Sequence, residues 1–317
     1  MSRSNVRSSK FAPALQVLEG RECPAGISLA NGVLSITGSG AVDTVTVTQD
    51  DAMNQISVQD GVQTVIFFSH RVSTVNVGLD AGNDDFTYTL ASDYTRMKHV
   101  NINLGADHDK ATLDFGAGNS HALQANLYLS VGGADGDDNV RADFGDFVST
   151  STSPRLDVAM DLGNGNDFGT VSLSGRLGPS AVARFNLIGN SNDDNLYFSH
   201  KGDVDKTAYL DLLMDGGWGN DKVTMNSAGR MDGSYHCRLD GGVRGDDVVY
   251  AEMIVNAGSV GTLDVECNGG TGADQMGLMV YDNSGGSLVL ARANLDGGAG
   301  TDTLIAATPN VQQINIP

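Results

Sequence analysis

Glutamate is almost missing from this chain. Of its 39 acidic residues only Glu19, Glu22, Glu252 and Glu266 are glutamates, so 35 are aspartates. Glutamate supports surface helices, whereas aspartate tolerates tight turns and bonds its own backbone. Proline is scarce too, with 6 residues, and charged residues make up only 18% against 40% apolar. That balance is too apolar for a disordered acidic chain. Basic residues number 19, which leaves a formal charge of −20 and a pI near 4.3. Such a surface repels nucleic acid and anionic membrane and attracts cations. No stretch approaches the ~18 uninterrupted apolar residues of a membrane helix, so no membrane span is expected. The three cysteines, Cys23, Cys237 and Cys267, are odd in number and lack CxxC spacing. A disulfide scaffold and a zinc site are thereby disfavoured. Cys237 and Cys267 fall on apolar strand positions and are expected to be buried small hydrophobes.

Glycine is what the chain has in excess, 41 residues of 317, against a usual ~7%. It is phased by a ten-residue frame: apolar, Asp/Asn/Gly, Gly, Gly/Ala, any, Gly, any, Asp, any, apolar. The clearest copies are Met214-Asp-Gly-Gly-Trp-Gly-Asn-Asp-Lys-Val223, Cys267-Asn-Gly-Gly-Thr-Gly-Ala-Asp-Gln-Met276 and Leu295-Asp-Gly-Gly-Ala-Gly-Thr-Asp-Thr-Leu304. Looser copies start at Val77, Ile102, Val131, Met160, Leu187 and Leu239. Their eighth positions are Asp84, Asp109, Asp138, Asp167, Asp194, Asp221, Asp246, Asp274 and Asp302, spaced 25 to 29 residues apart with a mean of 27.25. A tenth copy opens at Ile36 and ends at Val45.

Apolar residues alternate on both sides of each turn. Leu210, Leu212 and Met214 precede one, and Met276, Leu278 and Val280 follow another. Period two means strands with one buried face. A unit with one apolar face cannot fold alone, and stacking equal units buries the faces in a continuous core. The constant period favours a parallel β-helix over hairpins, since each circuit must rise one strand spacing of ~4.8 Å. A propeller blade needs ~40–45 residues. The expected fold is therefore all-β, a right-handed parallel β-helix of about 27 residues per coil. Residues 31–76 are expected to form a first coil with a capping β-hairpin turning at Asp60-Gly61, and residues 77–317 the repeat domain.

Stacking coils brings the eighth-position aspartates into a column, with Asp161, Asp215, Asp240 and Asp296 as a partial second column beside it. Unit charges ~4 Å apart repel by ~1 kcal/mol in water and ~4 kcal/mol at an effective dielectric of 20. A cation between them removes that cost. Turn glycines let carbonyls approach the same place, and carboxylate plus carbonyl oxygens suit Ca²⁺. These turns resemble the RTX nonapeptide, G-G-x-G-x-D-x-U-x, a calcium-binding β-helix repeat. The resemblance implies that Gly216, Gly217 and Gly219, Gly269, Gly270 and Gly272, and Gly297, Gly298 and Gly300 offer carbonyls to ions shared with the aspartates. RTX units repeat every nine residues, with two binding turns per coil, whereas here one turn per coil gives a single column.

Residues 1–30 read as a basic leader, with Arg3, Arg7, Lys10 and Arg21 and no acid before Glu19. Leu18-Glu-Gly-Arg-Glu-Cys-Pro-Ala25 resembles a segment near the start of large exported proteins of planctomycete-type bacteria, which implies an extracellular or cell-surface destination. HExxH, G-x-S-x-G and P-loop motifs are missing, and no enzyme is expected. The function expected is a calcium-binding structural solenoid serving as scaffold, adhesin or end-to-end assembling subunit. A homo-oligomer and surface polysaccharide are its candidate partners. The alternatives are a carbohydrate-active β-helix enzyme using Arg230, Arg238 and Arg244 beside Asp232, Asp240 and Asp246, or a metal-free spacer.

Overall fold

The computed structural model describes residues 26–316 apart from 62, 118–120, 150 and 152–153. Most of the expected leader, with Cys23, lies outside the described residues. The chain is an all-β parallel solenoid of about 27 residues per turn. Two 12-stranded sheets form its faces. A central coil shows the plan. Strand Tyr209–Trp218 lies in the first sheet, the glycine turn reverses the chain, and strand Lys222–Gly229 returns in the second sheet. The next coil repeats this with Ser234–Asp240 and Val248–Val255.

The register is strict because each strand has one face that must be buried. Met160 pairs Leu187, Leu187 pairs Met214, Met214 pairs Leu239 and Leu239 pairs Cys267, all in parallel. Leu210, Leu212 and Met214 are at most 1% exposed, whereas Leu213 between them is 38% exposed. Aromatic rings stack within the core, where Phe115 lies on Phe144 at 5.5 Å. Cys237 and Cys267 are buried free thiols, and burial pushes the Cys267 thiol up to about 12. A short third side is closed by single parallel bridges through Tyr94, Leu123, Phe147, Leu177, Val204 and Met231.

The first end departs from the parallel plan. Strand Gly26–Ala30 pairs antiparallel with Val33–Thr37 at the edge of the first sheet. In the second sheet Thr44–Asp50, Gln55–Asp60 and Gln63–Phe68 form an antiparallel meander. Under it Lys98 is fully buried, its ammonium donating to the carbonyls of Val72 at 2.7 Å and Ser69 at 3.2 Å.

Candidate functional site

The glycine turn works through two left-handed residues, except in the last two coils, where the sixth-position Gly272 and Gly300 lie in short strands and are not left-handed. At the fourth frame position φ is +104° for Gly217, +101° for Gly270 and +81° for Asn190. At the sixth it is +145° for Gly219 and +79° for Asn192. Asparagine tolerates this region better than other side chains, which explains why the Leu187 copy survives without two of its glycines. Close stacking adds a second demand. A Cβ on Gly217 would stand 2.2 Å from the Asn190 carbonyl oxygen, and one on Gly245 1.6 Å from that of Gly219.

The turn directs the eighth-position aspartate inward, where it caps the neighbouring coil. The N–H of Asp43 donates to Oδ1 of Asp84 at 2.7 Å, Asp84 to Asp109 at 2.7 Å and Asp109 to Asp138 at 2.8 Å. The series continues from Asp138 to Asp167, Asp194, Asp221, Asp247, Asp274 and Asp302, with donor–acceptor distances of 2.7 to 3.0 Å. These side chains are buried, none more than 5% exposed.

One expected ladder residue is displaced. The Leu239 turn holds one extra residue, Val243-Arg244 filling the place of a single residue elsewhere. Lys222 therefore pairs Val248, and Asp221 faces Asp247 rather than Asp246. Asp246 sits outside, its N–H bonded to Asn220 and its Oδ1 accepting the N–H of Ala273 at 2.8 Å.

Asp246 belongs to a second ladder, at a frame position left unspecified in the sequence pattern. His108 N–H donates to Asn83, Asp137 N–H to His108 Nδ1, Asn166 N–H to Asp137 and Asp193 N–H to Asn166, at 2.7 to 3.2 Å. Asn220 N–H then donates to Asp193 at 2.8 Å. Here the acceptor lies one coil back, whereas the inner ladder's acceptor lies one coil ahead. The signal was in the sequence as Asn, His or Asp directly before seven ladder aspartates, from Asp84 to Asp247. Its mixed chemistry hid it.

The partial second column is outward-facing and already partnered. Asp161 accepts from Asn190 Nδ2 at 2.5 Å, Asp240 from Asn268 Nδ2 at 3.1 Å and Asp296 from Asn315 Nδ2 at 2.8 Å. Asp215 and Asp240 are neighbours in register, and burial with the Asp240 charge raises the Asp215 carboxyl.

Each inner carboxylate spends only one oxygen on the neighbouring N–H. Oδ2 of Asp84, Asp109, Asp138, Asp167, Asp194, Asp221, Asp247, Asp274 and Asp302 is buried without a hydrogen-bond partner. Asp43 differs, since its Oδ2 accepts the Ser39 N–H at 2.6 Å. Where the third frame position is glycine, Oδ2 lies against it together with a carbonyl oxygen of the next coil. A Cβ on Gly216 would meet Asp221 Oδ2 at 2.7 Å and the Gly241 oxygen at 2.3 Å. Gly269 stands likewise beside Asp274 Oδ2 and the Gly297 oxygen. Burial is the first cause of the raised pKa values. The Asp194 carboxyl is pushed up to about 8, those of Asp138 and Asp247 to about 7, and those of Asp84, Asp109, Asp167 and Asp221 to about 6.

These orphaned oxygens and the carbonyls beside them make an all-oxygen donor set that fits a hard cation. Among the described residues no three acidic, His or Cys side chains form a metal-ligating group. An ion on the ladder would therefore draw most of its ligands from backbone carbonyls.

The arginines considered for catalysis do not form one cluster. Arg230 pairs Asp232 at a corner, Arg238 pairs Asp240 at 2.8 Å on the first sheet, and Arg244 lies 5.4 Å over the Trp218 ring at the glycine turn. No family model, curated protein or solved structure matches this chain. The likeness to RTX repeats thus rests on the turn residues alone.

Proposed function

We propose that this chain is an extracellular or cell-surface structural solenoid, a scaffold or adhesin rather than an enzyme, whose inner ladder takes up calcium. The observation that carries this reading is the line of nine buried carboxylate oxygens without partners. A carboxylate in that setting gains either a proton or a cation, because a bare buried charge is too costly. Asp194, Asp221, Asp247 and Asp274 would hold the ions with the carbonyls of Gly216, Gly241, Gly269 and Gly297, and Asp138 and Asp302 with those of Leu162 and Asn315; the carbonyls of Gly217 and Gly270 already accept backbone N–H groups. A bound ion would cancel charge that the fold otherwise neutralises with protons.

Sites with few carboxylates hold calcium at ~10⁻⁴–10⁻³ M, the range of extracellular modules. That matches an extracellular destination, and binding to the folded form alone stabilises it by mass action. The test is a thermal melt in millimolar Ca²⁺ and in EGTA, with metal analysis of the purified protein. Calcium should raise the midpoint by many degrees. Identical melts and no bound metal favour a metal-free spacer, a reading supported by the Oδ1 bonds, which form without any ion.

A further inference from the structure

We infer that the outer face of the second sheet carries a binding groove for a linear acidic polysaccharide, a sugar chain with carboxylates on some of its units. This gives the adhesin reading a ligand class and a site, and it does not rest on calcium uptake.

The groove has a volume of about 750 Å³ and crosses four consecutive coils, from Lys110 to Lys201. Its strands are Lys110–Phe115, Asn139–Phe144, Phe168–Leu173 and Asn195–Lys201, parallel and in register. Ser172 and Ser199 are partners on neighbouring coils, and their short side chains leave room between taller neighbours.

One row on this face runs Lys110, Asn139, Phe168, Asn195 and Lys222, one residue from each of five successive coils. Phe168, at its centre, is 40% exposed. An exposed aromatic face suits the C–H side of a sugar ring, and an amide offers hydroxyls both a donor and an acceptor. The side chains of Asn139, Asn195, Lys201 and Lys222 make no hydrogen bond or ion pair with the described residues. Their neighbours Lys110 and Arg141 are paired with Asp85 and Asp143. In a chain with 39 acids and 19 basic residues, cations left without a carboxylate stand out. The face thus combines a ring, two idle amides and two cations whose charge the rod does not use.

The repeat matches as well. Each coil rises ~4.8 Å, close to the length of one unit in a linear sugar chain, so a chain lying along the rod presents one unit to each coil. Single-stranded nucleic acid asks for successive stacking rings and a cation for each phosphate. Here amides stand on both sides of the one ring, and a net charge of −20 repels a phosphate on every unit. A protein partner asks for an apolar centre. Phe168 is the one large apolar side chain exposed in the groove.

The test is titration calorimetry of the full-length chain with a hexasaccharide of hyaluronan, whose alternate sugars carry carboxylates. It is run in EGTA, so that calcium cannot bridge sugar to protein. The wild type should bind this probe, and bind neutral cellohexaose more weakly. Phe168→Ala and Lys201→Glu should keep a wild-type melt and each weaken binding about tenfold or more, as loss of a central contact does. Lys206 is exposed on the connection that follows Lys201, outside the groove. Lys206→Glu makes the same charge change there and should stay within about twofold, since solvent screens a distant surface charge. Failure to bind the hexasaccharide, equal binding of cellohexaose, tighter binding of oligothymidylate, or equal losses in Lys206→Glu and Lys201→Glu would overturn the inference. None of these results changes the calcium melts, so the two readings fail separately.

Discussion

The backbone N–H of Asp221 donates to Oδ1 of Asp247 at 2.7 Å across neighbouring coils. Asp246, one residue away, points outside and accepts from Ala273 instead. Asp247→Ala strands a buried N–H and should cost about 1–3 kcal/mol. Asp246→Ala should cost about 0.5 kcal/mol or less, because water replaces the lost acceptor. Asp247→Asn keeps the acceptor and removes the ionisable oxygen. It should match or exceed the wild type in EGTA at pH 8 and show a smaller gain from calcium. Urea unfolding with and without calcium reads all three.

Without metal, stability should fall as pH rises. The ladder carboxyls are raised in the folded chain, from an ordinary 3.8 to about 6 for Asp221, 7 for Asp138 and 8 for Asp194. The folded state therefore holds more protons than the unfolded state between about pH 4 and 8. Stability from these groups is complete below pH 4 and is lost as pH climbs through 6 to 8. Melts in EGTA at pH 5, 6.5 and 8 should show a falling midpoint, against the opposing effect of ordinary surface carboxylates.

Calcium uptake should release protons. An ion binds the ionised carboxylate, so it displaces whatever proton the ladder carried. Adding calcium at pH 6.5 in weak buffer should acidify the solution, and the same addition at pH 9 should release far less. A pH electrode or calorimetry in buffers of different ionisation enthalpy measures the difference.

Gly217→Ala should be severe and Gly40→Ala silent. At Gly217 φ is +104° and a Cβ would stand 2.2 Å from the Asn190 carbonyl oxygen, whereas at Gly40 nothing lies within 4 Å. The first should cost more than about 1 kcal/mol and the second stay within about 0.5 kcal/mol. Chemical denaturation of the two variants checks this.

Alternating residues such as Leu210, Leu212 and Met214 and the regular spacing of glycine turns make the solenoid legible in the sequence. A period of two and a period near 27 have few joint solutions. Asp247 was not legible, because a one-residue insertion is invisible until the strand register shows which aspartate faces Asp221. The outer ladder escaped because a backbone N–H donates to oxygen or nitrogen acceptors alike, so His108, Asn166 and Asp193 serve the same role without sharing a letter. Lys98 escaped for a different reason. Its carbonyl partners, Ser69 and Val72, come from a connection whose path the sequence pattern does not describe.

The inner ladder joins every coil to the next by the same bond in the same direction. Asp167 meets Asp194 across 27 residues, and Asp194 meets Asp221 across another 27. Excising residues 195–221 would bring Asp194 to face Asp247, the partner that Asp221 has now. Rod length in such a molecule is set by how many times a segment is duplicated or dropped in its gene, and each change leaves both termini and their contacts as they were.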